Sequence, residues 1–301
     1  MRCSSLLVHG GILIDDLTFV DGRTMEGVPG GAALYALAGA ALWNENVLLI
    51  GGVGRDAERH ILPWMRDAGL STAGLRIDGE FTPRNILVYR ADGSRTETPA
   101  FGVEHFAGLQ PGADELIARL PGARGAYVFH DAEPGFWEPV LGAVRQHDVT
   151  LLWEISGESC RPERLPEIAR IAGSVAGLSL NLREATDIFG EKPRRALIEC
   201  IRGLGAAVAF LRCGAEGSIV IWAQSSAAVP AYPAAVVDAT GAGNAYGGGA
   251  LAGLARGAEP VRAAHMGALA ARLALRQHGP FVPRDASVRS GVYAALSDSG
   301  L

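Results

Sequence analysis

Short apolar runs that alternate with longer helical patterns constrain this chain more than any other feature. The runs SLLVHGGILI, NVLLIGGVG, GAYVFH, VTLLWEI, GLSLNL, AAVAFLR and GSIVIWA are mostly bounded by glycine, and several are too continuously apolar to have one wet face. Such strands are buried on both sides. Between them fall AALYALAGAALW, AERHILPWMRDAG, ADELIARLPG, FWEPVLGAVRQHD, PERLPEIARIAG, REATDIFG, PRRALIECIRGLG and an alanine-rich C-terminal third, all helical in pattern. Strand and helix in alternation predict an α/β fold, a doubly wound and mostly parallel sheet covered by helices on both faces.

One segment breaks the alternation. TPRNILVYRADGSRTETPAFG reads as two strands joined at Ala91-Asp92-Gly93, a hairpin with no helix behind it. The short stretch LTFVDGRTMEGV is placed to pair with it. Together they predict a small β-strand lid, residues 17–28 and 82–102, on a single domain spanning residues 1–301. No Ser/Pro linker, repeat or low-complexity block argues for a second domain.

The 301 residues are 49% hydrophobic, ample for a large core, and the formal net charge of −5 leaves no basic footprint for nucleic acid. Cys3, Cys160, Cys200 and Cys213 are scattered without a CxxC pair, so neither a zinc site nor a disulfide framework is indicated and a reducing cytoplasm fits best. VPGGAALYALAGAALW falls short of the ~20 residues of a spanning helix and reads as a buried helix. The N-terminal apolar run ends in Asp15 and Asp16 with no cleavage pattern after it, so it reads as a first strand.

The stretch VVDATGAGNAYGGG carries the clearest chemistry. Its glycines 241, 243 and 247 lie late in the chain with the wrong spacing for a dinucleotide fingerprint. A Walker loop is excluded because Lys192, in EKPRR, is the only lysine. What remains is a strand ending near Val237, a tight DATGAG turn and a helix starting around Ala242. The free N–H groups and dipole of that helix start suit a phosphate or a developing negative charge. A plain glycine-rich turn fits the same residues.

Taken with the rest of the chain, this stretch resembles the D-T-x-G-A-G-D signature of the ribokinase-like, or PfkB-type, family of sugar and nucleoside kinases. GGILID, PGGAALYALA, IGGVGRD, NLREA, LRCGAEGS, VVDATGAGN and AARLALRQHG follow in the family's order and cover nearly the whole chain. The resemblance implies a three-layer core with a β-flap over a small hydroxylated substrate, and ATP and Mg2+ as cofactors. It gives Asp15, with Asp16 nearby, to the substrate hydroxyls, and Gly30 and Gly31 to close backbone approach. Asn181 and Glu184 would hold hydrated magnesium beside the nucleotide, an ion suited to oxygen ligands. Gly214 and Gly217, with Arg212, would meet the nucleotide phosphates. Gly241, Ala242 and Gly243 would offer N–H groups to the phosphoryl group in transfer. Asp238 and Thr240 match positions that bind a monovalent cation such as K+ in some relatives. The expected partners are ATP and a small hydroxylated molecule, with a homodimer compatible and nucleic acid and membrane excluded.

Two positions depart from the family. Tyr35 stands where sugar kinases usually carry Asn, and its ring suits either stacking on a substrate ring or filling core space. Asn244 stands where the family has the Asp that accepts the substrate's hydroxyl proton, and an amide orients a hydroxyl without serving as a base. Two functions are compatible with this: an ATP-dependent kinase, slowed or relying on water, Asp15 or Asp16 for the proton, and a pseudokinase that binds nucleotide or sugar as a regulatory or structural protein. His130 and Asp131 in VFHDAEP are expected to be structural.

Overall fold

Residues 5–92 and 94–298 are described by the computed structural model; Cys3 and Gly93 of the expected hairpin turn lie outside them. Among these residues the strands are β1 (Ser5–His9), β2 (Leu13–Thr18), β3 (Thr24–Gly30), β4 (Val47–Val53), β5 (Leu75–Ile77), β6 (Arg84–Tyr89), β7 (Arg95–Pro99), β8 (Ala123–His130), β9 (Thr150–Ile155), β10 (Gly177–Asn181), β11 (Val208–Arg212), β12 (Ser218–Trp222) and β13 (Ser225–Val229). A large sheet runs β13-β12-β11-β10-β9-β8-β1-β4-β5. It is parallel from β5 to β11, where helical crossovers join the strands, and antiparallel through β12 and β13, where hairpins do.

Helices cover both faces, giving the three layers that the alternating pattern predicts. One apolar body packs the helices Ala32–Trp43, Ala242–Leu254 and Pro260–Ala274 against the sheet; the other packs Pro134–His147, Leu165–Ala172, Leu182–Phe189 and Arg194–Arg202. Trp137, Trp153 and Phe210 are wholly buried, and a buried side chain of that size contributes ~1.5–3 kcal/mol or more. The alanine and glycine content of Ala32–Trp43 and Ala242–Leu254 lets their backbones come very close. A Cβ on Gly39 would overlap the backbone of Ala245, and one on Gly248 the backbone of Ala36. The first turns of both helices reach one cavity, lined by Ala32 and Tyr35 from one and by Gly241 and Asn244 from the other, beside Phe129 near the carboxyl end of β8, where α/β sheets bind ligands.

The small sheet runs β3-β2-β6-β7, with β2 and β6 parallel and the outer pairs antiparallel. It begins at Leu13, earlier than the expected lid boundary of 17. The run SLLVHGGILI is in fact two strands, because the chain passes Phe129 and Gln110 at Gly10 and Gly11 and crosses from one sheet to the other. Two further expectations are corrected, and an edge strand went unrecognised. The hairpin does have a helix behind it, Gly102–Leu109. No strand ends near Val237; Val236 and Val237 lie exposed in the loop after β13. The edge strand β13 escaped recognition because SSAAV is poor in β-formers and gains its strand geometry from pairing with β12. Cys160, Cys200 and Cys213 are free, and no described helix is long and apolar enough to cross a membrane.

Candidate active site

The turn before helix Ala242–Leu254 is built from local chemistry. Gly241 takes φ +72°, a left-handed conformation that glycine adopts at no steric cost. Asp238 stabilises the turn by accepting from the Thr240 amide (2.9 Å) and hydroxyl (2.6 Å) through Oδ1. No side chain caps the helix; the Ala242 amide makes one long bond, to the Ala239 carbonyl at 3.4 Å, and no side chain competes with a ligand for the N–H groups of this start. Gly241 lies on the ring of Tyr35, where a Cβ would overlap the aromatic carbons.

Two cavities meet at this turn. The smaller, about 210 Å³, is lined by Asp15, Gly31, Tyr35, Asn85, Arg95, Glu97, Phe106 and Phe129 together with Thr240, Gly241 and Asn244. The larger, about 590 Å³, is lined by Asn181, Arg212, Gly214, Gly217 and an apolar wall that includes Tyr232 and Leu275, together with Ala239, Ala242 and Gly243. Consecutive residues of one turn thus face both spaces.

In the smaller cavity Asp15 comes from the inner face of the small sheet and is 4% exposed. Burial first, and the nearby Glu97 carboxylate second, push its pKa up to about 7. Gly30 leaves room for that carboxylate, since a Cβ there would overlap it. Gly31, at φ +91°, abuts the backbone of Gly11–Leu13. Tyr35 is 2% exposed, filling core space under Gly241, and it also lines the cavity. Asp16 does not join the site. Alternation along β2 turns it to the outer face, where it pairs with Arg84 (3.1 Å) and accepts from the Gly27 amide (2.8 Å).

Beside the larger cavity, which Asn181 lines, Asn181 and Glu184 form a reciprocal cap. The Glu184 amide donates to Asn181 Oδ1 (2.9 Å), and the Asn181 amide donates to Glu184 Oε2 (2.6 Å). Glu184 is largely buried: burial raises its pKa, and Arg212 lies 3.6 Å away. Arg212 fills the space over Gly243, where a Cβ would overlap its guanidinium. It also pairs with Glu154, a buried carboxylate at the end of β9 that burial lifts to about 8. Glu154 Oε2, Ser179 Oγ and Arg212 Nε are buried on three adjacent strands with incomplete hydrogen bonding, Ser179 lying level with Glu154 and close enough to lower its pKa. Such incompletely bonded groups mark a place where a ligand or water completes the network.

The sequence pattern missed Glu154, although a lone acid at the end of the buried run VTLLWEI was a signal. It also missed Tyr127, whose hydroxyl accepts from Asn244 Nδ2 at 3.0 Å and which lies on β8, with five further strands between it and that turn in sequence. Asp238 is more heavily committed than expected, with Tyr89 and His278 also bonded to it. His130 keeps a structural place: it pairs with Asp131 at 2.7 Å and stacks on Phe136 at 3.7 Å.

The pfkB family carbohydrate kinase model matches residues 10–286. The cytidine kinase of Thermococcus kodakarensis is 29% identical over 278 residues, covering 91% of this chain and 97% of that protein. Among solved structures, Arabidopsis thaliana ribokinase complexed with ribose and ATP superposes with TM-score 0.75 at 19% identity, covering 98% of this chain and 99% of that one. A fructokinase double mutant from Vibrio cholerae, bound to fructose, ADP and potassium ion, gives TM-score 0.76 at 18% identity over 98% of both chains.

Proposed function

The chain belongs to the pfkB family of carbohydrate kinases, and from that premise we propose that it transfers the terminal phosphoryl group of ATP to a hydroxyl of a small sugar, polyol or nucleoside. One observation carries this: residues 239–244 line both cavities, so a phosphate in the larger space and a hydroxyl in the smaller meet at the helix start. The amides of Gly241, Ala242 and Gly243 stabilise the charge that builds on the phosphoryl oxygens, which is where most catalysis of phosphoryl transfer comes from. Arg212 adds positive charge over Gly243, and Gly214 and Gly217 let the loop backbone approach the nucleotide. Asp15 accepts hydrogen bonds from the acceptor's other hydroxyls.

Magnesium, when bound with the nucleotide, neutralises phosphate charge. The oxygen donors Glu184 and Glu154 would hold it through its waters, and the incompletely bonded Glu154 Oε2 fits that role. Asn244 orients the attacking hydroxyl. With Nδ2 turned to Tyr127, its Oδ1 is the acceptor left for that hydroxyl. A loose transition state allows the hydroxyl to keep its proton until late, so the missing base slows transfer without preventing it.

The free thiols support a reducing, cytoplasmic setting. Ile86 and Val88, exposed on the outer face of the small sheet, support pairing of two copies. ADP release with MgATP over sugars, polyols and nucleosides, cytidine among them, tests the activity. Turnover of an acceptor is expected. If nothing turns over while MgADP still binds, the kinase assignment is dropped for the pseudokinase one.

A further inference from the structure

Asp238 is held by donors from three parts of the fold. Oδ1 accepts from the Thr240 amide and hydroxyl, while Oδ2 accepts from the Tyr89 hydroxyl at 2.8 Å and lies 3.2 Å from His278 Nδ1. A carboxylate offers about four lone-pair positions, and four donors fill them. Tyr89 ends β6 of the small sheet, and His278 follows the helix Pro260–Ala274. Phe19, from the connection between β2 and β3, covers both: its ring stacks on Tyr89 at 5.6 Å and meets His278 at 5.0 Å. The Val237 amide ties the same loop to Leu275 at 2.8 Å.

This donor set does not fit a cation-binding carboxylate. A monovalent ion needs lone pairs facing it, and Asp238, 5% exposed, has spent its own on protein hydrogens. We propose that Tyr89 and His278 take the place of a monovalent cation at Asp238, so that the small sheet itself organises the turn of residues 238–243. They are positioning residues: Tyr89 acts on Asp238, Asp238 on Thr240, and Thr240 precedes the Gly241 turn. Nucleotide binding is then independent of potassium, and the turn is in order only while the small sheet is docked. This rests on the reading of the turn as a phosphate site.

Tyr89→Phe keeps the ring on Phe19 and removes only the hydroxyl. Amide exchange over residues 84–89, without nucleotide, is compared between parent and variant. MgADP affinity is measured by calorimetry in potassium, sodium and tetramethylammonium chloride at equal ionic strength. The parent is expected to bind MgADP equally in all three salts. The variant is expected to lose roughly tenfold of its exchange protection, the size of one hydrogen bond to a charged group. Its freed lone pair should also make binding potassium-dependent, weaker in tetramethylammonium and restored by potassium. His278→Gln opens the same oxygen from the other side and should shift binding in the same direction, which keeps the test available if Tyr89→Phe folds poorly. Tighter parent binding in potassium than in tetramethylammonium, or unchanged exchange in Tyr89→Phe, overturns the proposal. If no form binds MgADP in any salt, the phosphate-site reading fails, and the exchange comparison alone still decides whether the Tyr89 contact to Asp238 holds the small sheet to the turn.

Discussion

Asn244→Asp is the sharpest test of how this site handles its proton. The side chain sits in the first turn of helix Ala242–Leu254 and donates to Tyr127 at 3.0 Å. A carboxylate there loses the donor, but the Tyr127 hydroxyl can donate instead of accept, so the contact survives with its direction reversed. The helix start favours the new charge by ~0.3–1 kcal/mol, while Asp15 and Glu97 on the same cavity oppose it and move its pKa toward neutrality. A base near neutrality is well matched to its task, and general-base assistance gives ~10²–10⁴ in rate, or ~3–5 kcal/mol of barrier. In steady-state ADP release with MgATP and the best acceptor, kcat is expected to rise by ~10² or more with KM for the acceptor little changed. A parent that is already fast and is slowed by the substitution refutes the reasoning. The amide would then be a selected part of the mechanism and another group the base, with Asp15 the carboxylate on the same cavity.

Other outcomes follow from single contacts. Gly243→Asp places a carboxylate where Arg212 and a phosphate belong, so MgADP should no longer raise the melting temperature; a retained shift would remove Gly243 from the phosphate site. Gly217→Ala puts a methyl against the Val229 and Ala231 backbone at φ +91°, and urea unfolding should show a loss of about 1–3 kcal/mol. Asp15→Asn should raise the acceptor's KM, whereas Asp16→Asn, on the outer face, should leave it unchanged. Because folding lifts the Asp15 pKa from 3.8 to about 7, the native state holds the proton more tightly, and the parent's stability should fall as pH rises through that window. Melting curves of Asp15→Asn should therefore gain on the parent between pH 4 and 7; parallel curves would show that Asp15 is not held protonated by its surroundings.

The alternating runs were enough to indicate a mostly parallel sheet between two helical layers and the position of the turn at residues 238–243, but not the edge strands β5 and β13. Burial on both faces and the left-handed Gly241 are properties of local sequence, so both are written in local sequence. The small sheet was visible as two segments, yet its edge at Leu13 was not, because SLLVHGGILI is equally apolar on either side of the crossing. Which face Asp15 and Asp16 take also depends on pairing with β6: neighbours on a strand point opposite ways, and only the register says which way is inward. Glu154, Ser179 and Arg212 lie far apart in the chain and converge because β9, β10 and β11 are adjacent in the sheet. Tyr89, Asp238 and His278 are the plainest case, separated by up to 189 positions in sequence and joined at one carboxylate. Local sequence encodes conformation through backbone sterics and side-chain pattern; which distant charges and hydroxyls share an atom is decided only when the sheets and helices pack.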